Sequence, residues 1–194
     1  VQYWFFYPYN DAFGKFNHEG DWERITVYLD ELGEGHDAGT VYFSQHGAGN
    51  SHRSSEIEWV GGTHPVVYSA RGTHANYPKA GDFDIPIVSS VPVLGLKDKT
   101  RDGGVAWTTW NRVVNIGEVG SPLNGQAFML YSGRWGEIGK LSVIDAIDFT
   151  TGPLGPAFHS SFEEDFPGCP NASSESSSPD EQVGKVCPAG SRGC

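Results

Sequence analysis

The sequence predicts an all-β domain, mainly an antiparallel β-sandwich with long loops and an irregular, Cys-containing C-terminal tail. Three observations predict it. Aromatic residues make up 13 % of the chain and charged residues only 19 %, with 26 Gly and 12 Pro to supply turns, a mix that suits short strands joined by tight turns. Short apolar and β-branched runs recur between clusters of turn residues. No amphipathic pattern of three helical turns is present. The 194 residues divide into a sandwich domain over 1–167 and a tail over 168–194.

Taken in order, residues 3–9 form an aromatic strand that ends at Pro8-Tyr9-Asn10-Asp11. The chain opens straight into this strand, so the expectation is an upstream segment that was cleaved or that belongs to another chain. Residues 23–30 form the next strand, 33–39 a turn and 40–45 a third strand. A Gly/Ser/His loop over 46–55 follows, and 56–60 with 65–70 read as a hairpin around Gly61-Gly62-Thr63. Residues 85–96 are interrupted by Pro86 and Pro92, which confines them to an edge strand or an extended loop. Residues 105–116 and 126–131 are further strand candidates, and 134–147 hold a short helix or another strand. The tail carries all three cysteines, Cys169, Cys187 and Cys194, around a Ser/Pro/Gly-rich stretch with the glycosylation sequon Asn171-Ala172-Ser173. Cysteines confined to such a tail point to disulfides and a secreted, extracellular protein.

Residues 18–23, His-Glu-Gly-Asp-Trp-Glu, carry the densest chemistry. On a strand, alternate residues share a face. Asp21 and Glu23 therefore share the core face with Ile25, Val27 and Leu29, while Trp22, Arg24 and Thr26 point the other way. A buried unpaired carboxylate costs several kcal/mol or titrates to neutral, and one divalent cation would resolve the conflict. His18 can join from the incoming turn, and a hairpin can bring Asn10 or Asp11 opposite. This mainly oxygen ligand set (Asn10, Asp11, His18, Asp21, Glu23) favours Ca²⁺ or Mg²⁺ over Mn²⁺ or Zn²⁺. The alternative is a set of hydrogen bonds and ion pairs to Arg24, Arg71 or turn amides.

A second constellation spans 63–78. His64 precedes an apolar strand, and Arg71, His74 and Asn76 follow it. His64 and His74 lie at opposite ends of that strand, so one of them reaches the acidic site, and His74 is favoured by its polar neighbours. A third group is Ser44-Gln45-His46-Gly47. His74, Arg71 and His46 are the candidate catalytic residues, through proton transfer. No Gly-x-Ser-x-Gly elbow, Cys nucleophile or phosphate-binding Gly loop is present. A net charge of −11 argues against a nucleic-acid surface, and no run of about 18 apolar residues exists to span a membrane.

The runs Tyr3-Trp4-Phe5-Phe6-Tyr7-Pro8-Tyr9-Asn10, His18-Glu19-Gly20-Asp21-Trp22-Glu23, and His64-Pro65-Val66-Val67-Tyr68 through His74-Ala75-Asn76-Tyr77-Pro78 together resemble the family named after vacuolar protein sorting-associated protein sixty-two. The likeness is carried by the first 80 residues. Members of that family usually carry a segment upstream of the aromatic strand, and their biochemical activity is poorly defined. A more distant resemblance is to the necrosis- and ethylene-inducing-peptide-like cytolysins, secreted β-sandwiches with a Gly-His-Arg-His-Asp-Trp-Glu heptad. It implies a divalent cation on His18, Asp21, Glu23 and an upstream ligand near Asn10 or Asp11. Here Gly20 replaces the heptad's second His and Glu19 its Arg, which separates the cation site from toxin activity.

Three functions compete. The first is a metal-dependent binding or cytolysin-like effector role on an extracellular glycan or lipid head group, helped by six Trp for stacking. The second is a metal-dependent hydrolase of an extracellular polymer or phosphoester. The third is a purely structural ion. A cleaved N-terminal segment of the same precursor is a further expected partner.

Overall fold

The computed structural model describes residues 1–14, 16–32, 35–46, 48–85, 95–118, 121–122, 126–138 and 150–159. The chain is all-β. Strands β1 (Gln2–Asn10), β2 (His18–Leu32), β3 (Gly35–Gln45) and β4 (Ala48–Arg53) form one antiparallel sheet in the order β1-β2-β3-β4. Four two-stranded ribbons follow. They pair β5 (Trp59–Val60) with β6 (His64–Pro65), β7 (Tyr68–Ser69) with β8 (Asn76–Tyr77), β9 (Gly81–Asp84) with β10 (Lys97–Thr100), and β11 (Gly117–Glu118) with β12 (Ser121–Pro122). Ribbon strand β8 packs on β2 and β3. Among the described residues the second layer is thus made of short ribbons, and the continuous second sheet of a sandwich is not seen.

The core forms where the alternation of β2 and β3 coincides. Register pairs Ile25 with Phe43 and Val27 with Val41, and these four close over Ile57, with Phe5, Trp59 and Val67 packed against them. The opposite face is covered too. Trp4, Phe6 and Trp22 meet Trp135 and His159 edge-on or tilted, and Arg24 lies over the rings of Trp4 and Tyr42. Arg24 and Thr26 are consequently as buried as Ile25 and Val27.

Several predicted elements are corrected. Leu29 lies beyond the end of the core row: it is 45 % exposed while Tyr28 is buried, and at this point the register shifts because β3 carries an extra residue, Gly39, between the partners of Tyr28 and Leu29. Of the turn expected over 33–39, residues 35–39 already belong to β3. The loop expected over 46–55 is mostly β4. It has no apolar alternation, and backbone pairing with β3 makes the strand. Gly49 lies where a Cβ would strike the Tyr42 ring and the Phe43 carbonyl. Residues 105–116 are not a strand: they are exposed and irregular around a 3-10 turn at Thr109–Arg112. Residues 126–131 hold a 3-10 turn at Ala127–Leu130. The hairpin at Gly61-Gly62 is present, both glycines adopting positive φ. The expected edge segment over 86–94, the end of the 134–147 region, Asn171, Cys169, Cys187 and Cys194 lie outside the described residues.

Candidate functional site

The site is built where the β7–β8 turn lands on β1 and β2. In that turn Ala70 N–H donates to Ala75 O at 2.9 Å and His74 N–H to Ala70 O at 3.0 Å. Gly72 and His74 both take positive φ, 87° and 59°. The turn is pinned to the end of β1 by Asp11 N–H donating to Gly72 O at 2.9 Å. The approach is so close that a Cβ on Gly72 would sit 2.5 Å from the Asp11 carbonyl oxygen.

Pinned in this way, the turn delivers His74 to Asp21. Its Nδ1 donates to Asp21 Oδ2 at 3.0 Å, and the imidazole stacks on the Tyr7 ring at 3.9 Å and 4°. Tyr7 is the cross-strand partner of Asp21, so one register fixes both contacts. Tyr7 OH donates to Ser69 Oγ at 3.3 Å. Burial pushes the Tyr7 phenol upward, against the Ser69 hydrogen bond.

A second imidazole is held in the same manner. His46, at the end of β3 with φ 53°, donates through Nε2 to Asp98 Oδ2 at 2.6 Å. Asp98 also accepts from Thr73 Oγ at 2.6 Å and from Tyr77 OH at 2.8 Å. Burial alone would raise the Asp98 pKa, but the His46 hydrogen bond and charge, with Thr73 and Tyr77, outweigh it and hold the carboxyl below its usual range. The Tyr77 phenol is pushed up by burial and by the Asp98 charge. Thr73 precedes His74 in sequence, so the Asp98 anchor and the Asp21 anchor are tied through one peptide link.

Between the two anchors lies Glu23. It is 6 % exposed, and burial, followed by the charge of Asp21, drives its pKa well above the ordinary value. Asn76 Nδ2 reaches its Oε2 only at 3.5 Å while donating to Arg24 O at 3.1 Å. Gln45 secures this floor by donating to Asn76 O at 3.0 Å. The buried Asn76 Oδ1 has no hydrogen-bond partner among the described residues.

The other expected ligands are engaged locally. Asn10 Nδ2 donates to Phe16 O at 3.1 Å, and Asp11 Oδ1 accepts from Asn17 Nδ2 at 3.1 Å. His18 lies on β2, not in a turn, with Nδ1 2.7 Å from Gly20 O. Gly20, at φ 67°, fits under the Trp135 carbonyl, and Glu19 Oε2 accepts from Glu137 N at 3.1 Å. That brings Glu19 to the Trp22–Trp135 face, so the strict alternation applied to Asp21 and Glu23 does not run back to His18. Among the described residues no three His, Cys, Asp or Glu side chains converge as a set able to hold a metal ion. Arg71 is exposed on the turn. His64 stacks instead on Trp110 at 4.3 Å.

Sequence reasoning missed Asp98, Thr73, Tyr77 and Tyr7. Asp98 did leave a trace. In Lys97-Asp98-Lys99-Thr100 the lysines are exposed and Asp98 and Thr100 are buried, so alternation there carries a charge inward.

The model of the family "Vacuolar protein sorting-associated protein 62" matches residues 1–138. Two Saccharomyces cerevisiae proteins are similar. Vacuolar protein sorting-associated protein 62 is 28 % identical over 169 residues, covering 70 % of this chain and 34 % of the relative. The vacuolar protein sorting-associated protein TDA6 is 32 % identical over 132 residues, covering 54 % of this chain and 26 % of the relative. The matched part thus spans about a third and about a quarter of these relatives' lengths. No solved structure matches. The relatives correct the expectation of a secreted, extracellular protein: both are named for vacuolar protein sorting, not for secretion.

Proposed function

The chain belongs to the vacuolar protein sorting-associated protein 62 family, and on that premise we propose that it is a binding module for a hydroxyl- or phosphate-bearing ligand, a glycan or lipid head group, in the vacuolar-sorting setting for which its relatives are named. The observation that carries this reading is the pair of imidazoles, each in a left-handed backbone conformation and each anchored by one ring nitrogen on a buried carboxylate. Anchoring fixes the tautomer and leaves the other ring nitrogen for a ligand. The side chains of His74 and His46 are 18 % and 20 % exposed, so each keeps an edge toward solvent. Left-handed φ is strained for a histidine, and such strain is retained where the surrounding structure holds a group for use.

A second reading is supported by Glu23. A hard divalent cation, Ca²⁺ or Mg²⁺, beside Asp21 and Glu23 would neutralise two adjacent buried carboxylates, with His74 facing the ligand on it. If bound phosphoester is also turned over, the same groups serve as a hydrolase through proton transfer at the ligand-facing nitrogen of His74. The likeness to cytolysins contributes no activity here, because Gly20 and Glu19 stand where the heptad has its second His and its Arg.

Calorimetric titration with oligosaccharides, inositol phosphates and glycerophospholipid head groups, each with and without Ca²⁺ or Mg²⁺, tests both readings. The binding reading expects saturable binding that His74→Gln and His46→Gln each weaken by roughly tenfold or more. The cation reading expects that binding to vanish on chelation. Full-strength binding by both histidine variants would sink the proposal.

A further inference from the structure

We propose that residues 103–116 form a lipid-bilayer contact that lies apart from the polar site and does not depend on it. Five apolar side chains in this stretch, Val105, Trp107, Trp110, Val113 and Val114, are between 39 % and 103 % exposed. No residue from 101 to 115 is buried. Apolar side chains exposed singly are ordinary, but a contiguous set marks an interaction surface.

The loop is nonetheless shaped. Gly103 turns the chain at φ 72°. Thr109 N–H donates to Trp107 O at 2.9 Å, Asn111 N–H to Thr108 O at 3.2 Å, and Asn111 Nδ2 to Thr108 Oγ at 3.3 Å. Trp110 is held against the His64 ring. A preformed loop gives up little conformational entropy on docking.

The chemistry selects a bilayer as the occupant. Trp with Thr, Asn and a single Arg is the mixture that settles at the membrane–water interface, where the indole is apolar at one end and a hydrogen-bond donor at the other. Charge points the same way. The chain carries a net charge of −11, yet residues 103–116 contain no carboxylate and one cation, Arg112. An acidic body is held off from phosphate head groups, and an exposed stretch without carboxylates can approach them more closely than the body as a whole. Among the described residues no helix is long and apolar enough to cross a membrane, so the contact is interfacial. The side chains project from one loop rather than lining a groove or a sheet face, which suits insertion better than a protein interface.

The test is flotation of the full chain with phosphatidylcholine vesicles containing a minor fraction of phosphatidylserine, followed in parallel by tryptophan emission. Wild type should float with the vesicles and its emission should shift to the blue. The double variant Val105→Asp/Val113→Asp should lose roughly tenfold or more of its partitioning with an unchanged melting temperature, since neither side chain is packed. Leu29→Asp, also an exposed apolar position but on the sheet, should float like wild type. Absence of wild-type flotation, or equal flotation of the double variant, overturns the proposal. So does a self-associated wild type that the double variant converts to monomer with no change in vesicle binding.

Discussion

Gly20 shows how a single residue sets the geometry around the acidic motif. It holds φ 67° beneath the Trp135 carbonyl, where no Cβ fits. Gly20→Ala should destabilise the chain by about 1–3 kcal/mol, part from the left-handed backbone and part from displacing Trp135, measured by urea unfolding. A variant of wild-type stability would show that the strand does not need this kink. Glu23 behaves oppositely to Asp98. Its pKa is raised in the folded state, by burial first and by Asp21 second, so its contribution to stability is full below the ordinary value of 4.5 and is lost as pH rises through the folded value. Glu23→Gln should therefore raise the melting temperature at neutral pH in the presence of chelator. If added Ca²⁺ or Mg²⁺ stabilises wild type but not this variant, the cation reading gains its ligand. Asp21 and Glu23 were legible as an inward pair from their alternation with Ile25. That His74 reaches the acidic site was expected from its polar neighbours, but the Gly72–Asp11 contact that seats it was not legible, because it joins distant parts of the chain.

At the scale of elements, β2 and β3 carry the core. Phe43 is fully buried between Ile25, Val27 and Ile57, and Phe43→Ala should cost about 3–5 kcal/mol. The end of the core row makes a sharper comparison. Val27→Ser should cost about 2–4 kcal/mol, whereas Leu29→Ser should stay within about 0.5 kcal/mol because Leu29 faces solvent. Equal costs in equilibrium unfolding would mean that Leu29 is packed as Val27 is. Alternation made the first half of β2 readable. It could not place the end of the core row before Leu29, since Leu29 continues the apolar alternation in the sequence. It failed for β4, whose residues show no apolar period and whose existence rests on backbone pairing. It failed again at 105–116, where β-branched and aromatic residues suggested a strand but, among the described residues, no strand pairs with them.

For the whole molecule, the all-β class followed from composition and turn spacing, while the division into one sheet and several ribbons did not, because strand order depends on long-range pairing. The site likewise draws on β1, β2, the end of β3, the β7–β8 turn and β10, and only the first two and that turn carry a recognisable motif. Stability across pH integrates these parts. Asp98 is held below its ordinary value of 3.8, so its contribution is full above that value and is lost as pH falls through the folded one. His52 and His159 are lowered by burial, so their contribution is present above the ordinary imidazole value of 6.5 and declines as pH falls below it. Asp98→Asn should therefore lower stability at neutral pH and flatten the fall below pH 4, read from melting temperatures across that range. An unchanged acid limb would show that Asp98 is not the charged anchor of His46. The most direct test is a nitrogen–proton correlation spectrum of the histidine rings, recorded at a pH where they are neutral, before and after adding the ligand found by calorimetry. The site described here predicts opposite tautomers, Nδ1–H on His74 facing Asp21 and Nε2–H on His46 facing Asp98, with both rings perturbed by the one ligand. Rings that exchange between tautomers, or a ligand that perturbs neither of them, would contradict it.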